Sequence, residues 1–404
     1  MKPETVGLSG SQLARIDDAV KDAIEHHETP GAVVLVGHRG RIVFRKAYGN
    51  RSLEPEVRPM LVSTVFDMAS LTKVVATATS MMILLERGKY RLDDPASKYL
   101  PEFAPPRKDS ATSGRPANVA WDPQDKSHIT LRQLMTHLSG LKPDFDLSQK
   151  WTGYAEAIRH LGDETLQARP GTKFTYSDLN YIALGEIVHR LSGEPLDQFS
   201  EQNIFKPLGM RDTSFTPGEP HRERAAPTER RSGTESYLGG SPATSGPNEF
   251  RQGEVHDPTA WRMGGVAGHA GLFSTADDLA VFCQMILNHG EFSGVRILSP
   301  LGVKTMTTNQ VPAALSHDAP SDSHVARGIG WDIVSSYSSN RGDLLPPNSF
   351  GHTGFTGTSL WIDPSTQTFV IILTNRVHPN GKGNVTALRA RIANIVAASI
   401  QEIR

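Results

Sequence analysis

The sequence predicts an α+β fold in which one antiparallel sheet is formed from both ends of the chain and a helical lobe is inserted between them. Two strand-like runs, residues 32–37 and 42–48, surround a turn at 38–41, and strand-like runs return only after residue 327. Amphipathic helical patterns open and close the chain. Terminal helices that cover a shared sheet are the simplest arrangement that buries all of these apolar faces.

The elements follow from hydrophobic periodicity, taken in chain order. A helix over residues 8–26, with Ser9 or Ser11 as its cap, precedes the hairpin. Apolar residues then repeat with a helical period from Ser70 to Leu85, and the run stops at Gly88. Further helices are predicted at residues 129–136 (capped by Thr130), 154–160, 181–191, 199–205 and 277–287.

The carboxyl-terminal part returns to strands. We expect strands at residues 328–331, 358–362 and 369–374 and a closing helix at 386–403. Three stretches poor in periodicity are predicted to be long loops, at residues 104–128, 217–260 and 312–326. The predicted lobes are therefore residues 1–65 plus 327–404, containing the sheet, and residues 66–326, mostly helical, forming one catalytic unit with its site between them.

Composition narrows the class of partner. The 404 residues carry a formal net charge of -1, which supplies no electrostatic footprint for nucleic acid or an anionic membrane. The sequence contains no run of 18 apolar residues and therefore predicts no membrane span. Since neither nucleic acid nor a membrane is indicated, a small-molecule partner is expected. As written the chain lacks a signal peptide and predicts a cytoplasmic protein; removal of a signal peptide would instead make it periplasmic or secreted. The lone Cys283 lies in an apolar helical run and is expected to be buried and inert.

A candidate nucleophile lies in the first turn of the helix that ends at Gly88. Ser70 and Lys73 are three residues apart, so their side chains are neighbours on a helix. The helix start adds partial positive charge that favours a developing anion. S-x-x-K alone equally fits a capping serine and a solvated lysine, but Lys73 leads directly into a hydrophobic run. The pattern therefore indicates a serine nucleophile with an adjacent amine, and burial is expected to lower the pKa of Lys73.

Two further stretches are rich in glycine, hydroxyl and aromatic residues. Residues 170–178 form a turn that would place Tyr176 on a loop beside a helix start, where half-buried packing is the alternative explanation. Residues 351–357 contain three glycines, which allow a close approach of backbone to another group. Amide N–H groups in such a stretch can bind an oxyanion.

Together, Ser70-x-x-Lys73, Tyr176-Ser177-Asp178 and His352-Thr353-Gly354 resemble, in order and spacing, the motifs of the penicillin-recognising serine hydrolases. The similarity is greatest to the branch of class C β-lactamases, D,D-carboxypeptidases and family VIII esterases, and it implies a β-lactamase-like fold. It implies that Ser70 is acylated, that Lys73 and Tyr176 share the proton transfers, and that the backbone N–H groups of Ser70 and Phe355 hold the oxyanion. The substrate would then be bound by Asp178, His352, Thr353 and Gly354. The resemblance implies no metal or organic cofactor.

Two positions depart from the family pattern. Asp178 replaces the usual Asn of the second motif, and His352 replaces the Lys whose permanent charge anchors a penicillin carboxylate. The sequence therefore favours an esterase or a hydrolase of D-amino-acid or cell-wall-peptide derivatives acting on small esters, amides or peptides. A β-lactamase and a non-catalytic penicillin-binding or scaffolding protein are the alternatives. The absence of H-E-x-x-H and G-x-S-x-G motifs disfavours zinc hydrolases and α/β-hydrolases.

Overall fold

A computed structural model describes residues 1–104, 122–230, 250–316 and 324–402 of the chain. Its main feature is an antiparallel sheet of eight strands, in the order β3-β2-β1-β13-β12-β11-β10-β9. The first three strands come from the amino-terminal part and the other five from the carboxyl-terminal part, which confirms the predicted fold class. The described strands are β1 Gly31–His38, β2 Arg41–Ser52, β3 Arg58–Pro59, β4 Phe66–Asp67, β5 Ser214–Phe215, β6 Leu272–Ser274, β7 Glu291–Phe292, β8 Val295–Arg296, β9 Ala326–Arg327, β10 Asp332–Val334, β11 Phe350–Thr353, β12 Ser359–Asp363 and β13 Thr368–Thr374.

Helices pack on both faces of this sheet and fill the inserted region. The helix after Ser70 begins with π-helical turns, Lys73–Ala78, that run directly into α3 (Thr79–Glu86). A second π-helical stretch, Glu201–Phe205, joins α7 (Leu196–Ser200) to α8 (Lys206–Leu208). The described α-helices are α1 Gly10–Leu13, α2 Arg15–Glu25, α3 Thr79–Glu86, α4 Leu131–Met135, α5 Tyr154–Asp163, α6 Asp178–Ser192, α7 Leu196–Ser200, α8 Lys206–Leu208, α9 His221–Arg224, α10 Pro258–Arg262, α11 Ala276–Leu287, α12 Pro300–Thr307, α13 Ala313–Ser316 and α14 Thr386–Ser399.

The side chains of β1 point alternately to the two faces of the sheet and contribute to two layers of the core. Val33 and Leu35 face the helical lobe and join the large cluster that includes the helix after Ser70. Val34 and Val36 point to the opposite face and pack against α2 and α14. Because successive side chains of a strand point to opposite faces, one short apolar strand supplies both layers. The first turn of α1 is capped by Ser9, whose side chain accepts from the N–H of Gln12.

One predicted strand is wrong. Residues 328–331 form a bend between β9 and β10 rather than a strand. Gly330 adopts φ +85°, and a Cβ there would lie 2.8 Å from the Cβ of Ala78. Ile329 and Trp331 are fully buried, and the N–H of Ile329 donates to the carbonyl of Met306 at 2.8 Å. The apolar run is therefore a buried bend packed on helices, which short-range periodicity does not distinguish from a strand.

The three predicted long loops are only partly described. Residues 105–121, 231–249 and 317–323 lie outside the described residues. Within the described parts, the predicted loop at 217–260 contains α9 and the start of α10, and the one at 312–326 contains α13 and the start of β9. The closing helix ends at Ser399, short of the predicted residue 403, which itself lies outside the described residues.

Candidate active site

A cavity of about 780 Å³ lies where the helical region meets the carboxyl-terminal half of the sheet. It brings together the predicted site residues that come from three separate parts of the chain. Lys73 is the exception, since it lies fully buried beneath Ser70 rather than on the cavity wall. The predicted residues that line the cavity are Ser70, Tyr176, Asp178, His352, Thr353, Gly354 and Phe355.

The turn before Ser70 is tightly held. Ala69 has φ +45°, a left-handed conformation that an alanine rarely adopts, and its N–H donates to the buried carboxylate of Asp67 at 2.8 Å. Asp67 also accepts from the N–H of His256 at 2.7 Å. These bonds compensate the backbone strain and fix the position of Ser70 at the start of the helix.

Lys73 is surrounded by polar groups in an otherwise apolar environment. Its Nζ lies 2.9 Å from Ser70 Oγ, 3.0 Å from the carbonyl oxygen of His269 and 2.6 Å from Asp178 Oδ1. The same nitrogen is 5.0 Å from the centre of the Tyr176 ring. The i,i+3 spacing therefore places the amine against the hydroxyl as the sequence indicates.

The expectation that Lys73 has a lowered pKa is wrong. Burial is the largest single influence and lowers the pKa, but Asp178 and Tyr176 together outweigh it, so the pKa of Lys73 lies above its ordinary value. The sequence-based argument considered burial alone, because nothing in the sequence places Asp178 next to Lys73. In the free protein Lys73 is therefore an ammonium group that donates to Ser70 Oγ.

Tyr176 is held against the Ser70–Lys73 pair by a buried histidine. His137 stacks on the Tyr176 ring with centroids 4.5 Å apart, and its Nδ1 accepts from the N–H of Ser177 at 3.0 Å. Burial raises the pKa of Tyr176; Lys73 lowers it, Asp178 raises it, and the net shift is upward. The contact of His137 with Tyr176 follows from the tertiary structure.

Strand β11 borders the cavity with a free edge. It pairs with β12 along residues 350–353, but with β10 only through Gly351 and Asp332. His352 and Thr353 therefore have no strand partner on the β10 side among the described residues. In the described part of the chain, the backbone N–H groups of Ser70 and Phe355 donate to no protein acceptor. This arrangement can accept an extended substrate at the strand edge and a carbonyl oxygen at two amides.

His352 contributes no positive charge to this edge. Burial, together with the charges of Arg327 and Lys73, lowers its pKa well below the ordinary value. Its Nδ1 lies 2.9 Å from the carbonyl oxygen of Thr353. His352 is therefore neutral at physiological pH, which agrees with the reasoning from its residue type.

The structure adds groups that the sequence did not single out. Asp257 lines the cavity and pairs with the buried His269, whose Nε2 is 2.8 Å from Asp257 Oδ1. Tyr337 lies on the rim with its ring 5.3 Å from that of Tyr176. Arg327, fully buried, pairs with Asp332 at 3.2 Å beside His352. Asp257 and Tyr337 lie in segments without a recognisable motif, so no local signal could have identified them.

The described ranges contain neither a side-chain cluster suited to a metal ion nor a helix suited to a membrane. Within them, no group of three or more His, Cys, Asp or Glu side chains is placed to hold a metal ion. Nor does any helix in those ranges have the length and apolar character needed to cross a membrane.

Comparison with known proteins gives consistent matches over most of the chain. The family model described as Beta-lactamase matches residues 16–395. The N-acetylmuramyl-L-alanine amidase of Bacillus subtilis strain 168 is 33% identical over 394 residues, covering 93% of this chain and 83% of the relative. A putative D-alanyl-D-alanine carboxypeptidase of Escherichia coli strain K12 is 30% identical over 396 residues, covering 93% and 85%.

A solved structure agrees on the fold. EstCE1, described as a hydrolase with promiscuous acyltransferase activity, superposes with a TM-score of 0.71 at 23% identity, covering 96% of this chain and 99% of that one. At that identity the similarity concerns the fold. The resemblance predicted from the three motifs is thus confirmed, and the chain belongs to the β-lactamase family of serine hydrolases.

Proposed function

We propose that the protein hydrolyses amide bonds that join amino acid residues in small compounds derived from the cell wall. The reaction would proceed through an acyl-enzyme on Ser70, and the protein would also cleave simple esters. The observation that carries this proposal is the Ser70–Lys73 contact of 2.9 Å at the floor of the cavity, with Tyr176 over the same lysine. The names of the two relatives, an amidase and a putative carboxypeptidase, support the substrate class. Residues of both predicted lobes line the cavity and would act as one catalytic unit.

In the proposed reaction, Ser70 Oγ attacks the scissile carbonyl carbon, and its proton passes to the Lys73–Tyr176 pair. The N–H groups of Ser70 and Phe355 would stabilise the oxyanion. The C–N bond then breaks, the departing amine takes up the proton, and water releases the acid from Ser70. Since Lys73 is charged at rest, it must release a proton to solvent before it can act as a base.

The electrostatics of the site disfavour efficient β-lactam hydrolysis. A β-lactam carries a carboxylate that requires a cation near the third motif; His352 is neutral there, and the guanidinium of Arg327 beside it is paired with Asp332. Asp178, lying on the cavity wall, adds a carboxylate of its own. A small neutral ester carries no carboxylate and does not require a fixed cation at this point.

The proposal is tested by active-site labelling combined with a substrate panel. A fluorophosphonate should label the wild-type protein and leave Ser70→Ala unlabelled. The panel consists of N-acetylmuramyl-L-alanine, a D-Ala-D-Ala peptide, p-nitrophenyl acetate and nitrocefin. We expect turnover of at least one of the two amides and of the ester, with the lowest kcat/KM for nitrocefin. Unlabelled wild-type protein would support the non-catalytic alternative, and preferential turnover of nitrocefin would support a β-lactamase.

A further inference from the structure

The turn that carries Phe355 is fixed to the segment before Ser70. Thr356 Oγ1 donates to the carbonyl of Asp67 at 2.7 Å, and Thr358 Oγ1 donates to the carbonyl of Met68 at 3.0 Å. The N–H of Gly354 closes the turn on the carbonyl of Thr358 at 2.7 Å. The position of the Phe355 amide relative to Ser70 is therefore set by hydrogen bonds rather than by loop flexibility.

A buried arginine from α14 binds the other side of this turn. Arg389 is 6% exposed, and its NH2 group donates to the carbonyl oxygens of Gly354 at 3.0 Å and Thr358 at 2.8 Å. Its NH1 group donates to Asn340 Oδ1 at 3.2 Å. Burial, with a contribution from Arg376, lowers the pKa of Arg389 to about 9, so the guanidinium remains charged at neutral pH.

The contact with Gly354 acts on the amide that faces the cavity. The carbonyl of Gly354 and the N–H of Phe355 belong to the same peptide unit, and in a planar trans peptide these two groups point in opposite directions. The N–H of Gly357 also donates to this carbonyl at 3.1 Å, and a guanidinium that holds the carbonyl on the α14 side adds a charged donor that orients the N–H away from α14. A charged donor on the carbonyl also polarises the peptide and makes its N–H a stronger donor.

A second arginine contacts the next peptide unit and provides a contrast. Arg376 Nε donates to the carbonyl of Phe355 at 2.7 Å, and its NH1 group donates to the carbonyl of Gly383 at 2.8 Å. The carbonyl of Phe355 shares its peptide unit with the N–H of Thr356 rather than with that of Phe355. Arg376 thus braces the same turn without acting on the Phe355 amide.

We propose that Arg389 is a positioning residue for the oxyanion site, acting through the Gly354–Phe355 peptide to orient and strengthen the Phe355 N–H. This inference rests on the proposed role of Phe355 as an oxyanion donor. Loss of a whole oxyanion donor costs about 10²–10³ in kcat. Loss of orientation and polarisation alone is expected to cost less, roughly tenfold to a hundredfold in kcat, with little change in KM.

The experiment compares Arg389→Met, Arg389→Lys and Arg376→Met, using p-nitrophenyl acetate as substrate. Thermal unfolding verifies that each variant is folded, and fluorophosphonate labelling verifies that Ser70 is reactive. Infrared spectroscopy of the acyl-enzyme then reports the ester carbonyl frequency, which rises when its hydrogen-bond donors weaken. We expect Arg389→Met to lower kcat and raise this frequency, Arg389→Lys to recover part of both, and Arg376→Met to produce a smaller change in each.

The outcomes separate this inference from the proposed function. An unchanged carbonyl frequency in folded Arg389→Met would overturn the inference while leaving Ser70 as the nucleophile. An equal loss in Arg376→Met would also overturn it, because the effect would then belong to the turn as a whole rather than to one peptide. If Arg389→Met does not fold, the same comparison is made with Arg389→Lys, which keeps the charge but not the two-carbonyl geometry. Wild-type protein that cannot be acylated would instead overturn the proposed function.

Discussion

The replacement Asp178→Asn is expected to shift the ascending limb of the pH profile of kcat/KM to lower pH. The carboxylate of Asp178 raises the pKa of Lys73 and also that of Tyr176. Asparagine has nearly the same shape but no charge, so both groups should lose their protons more easily in the variant. Because the proposed base must be deprotonated to accept the proton of Ser70, activity should appear at lower pH.

The distance between the charges sets the size of the shift. At 2.6 Å and an effective dielectric constant of about 20, two unit charges interact by roughly 6 kcal/mol. The side chain of Asp178 is 22% exposed, so solvent weakens this attraction. We therefore expect the limb to move by roughly one to three pH units, the range observed for opposite charges in contact.

The assay measures kcat/KM for p-nitrophenyl acetate against pH, with Asp178→Glu as the matched control that retains the charge. The limb of the control should remain closer to that of the wild-type protein than the limb of Asp178→Asn. A limb that stays in place or rises in Asp178→Asn would refute the assignment of Lys73 and Tyr176 as the titrating groups. A limb that shifts equally in both variants would attribute the effect to geometry rather than charge.

Three further predictions concern other residues of the site. Tyr176→Phe and Lys73→Arg should each lower kcat and alter the ascending limb, and an unaltered limb in both would exclude these residues from proton transfer. His352→Lys combined with Asp178→Asn should raise the rate of nitrocefin acylation, measured by stopped flow; an unchanged rate would contradict the argument from charge. Gly354→Ala should lower kcat sharply, because a Cβ there would lie 2.1 Å from Thr358 Oγ1 and 2.5 Å from the carbonyl of Met68; wild-type kcat in this variant would refute the need for a tight turn.

The sequence by itself determined those features that depend on local spacing. The i,i+3 relation of Ser70 and Lys73, the continuous apolar run of β1 and the cap of α1 each follow from residues a few positions apart. The order of three motifs was enough to predict the family, and with it the fold. Residue type also indicates that His352 supplies no permanent positive charge.

Tertiary structure alone decided the features that depend on how distant segments meet. Residues 328–331 have the composition of a strand, yet packing against the helix after Ser70 turns them into a bend. Asp178 begins α6, and only the packing of α6 beside the Ser70 helix brings its carboxylate within 2.6 Å of Lys73 and reverses the expected pKa shift. Arg389 likewise reaches the Gly354 carbonyl from another helix. Coulomb and hydrogen-bond energies depend on distances through space, which sequence separation does not specify.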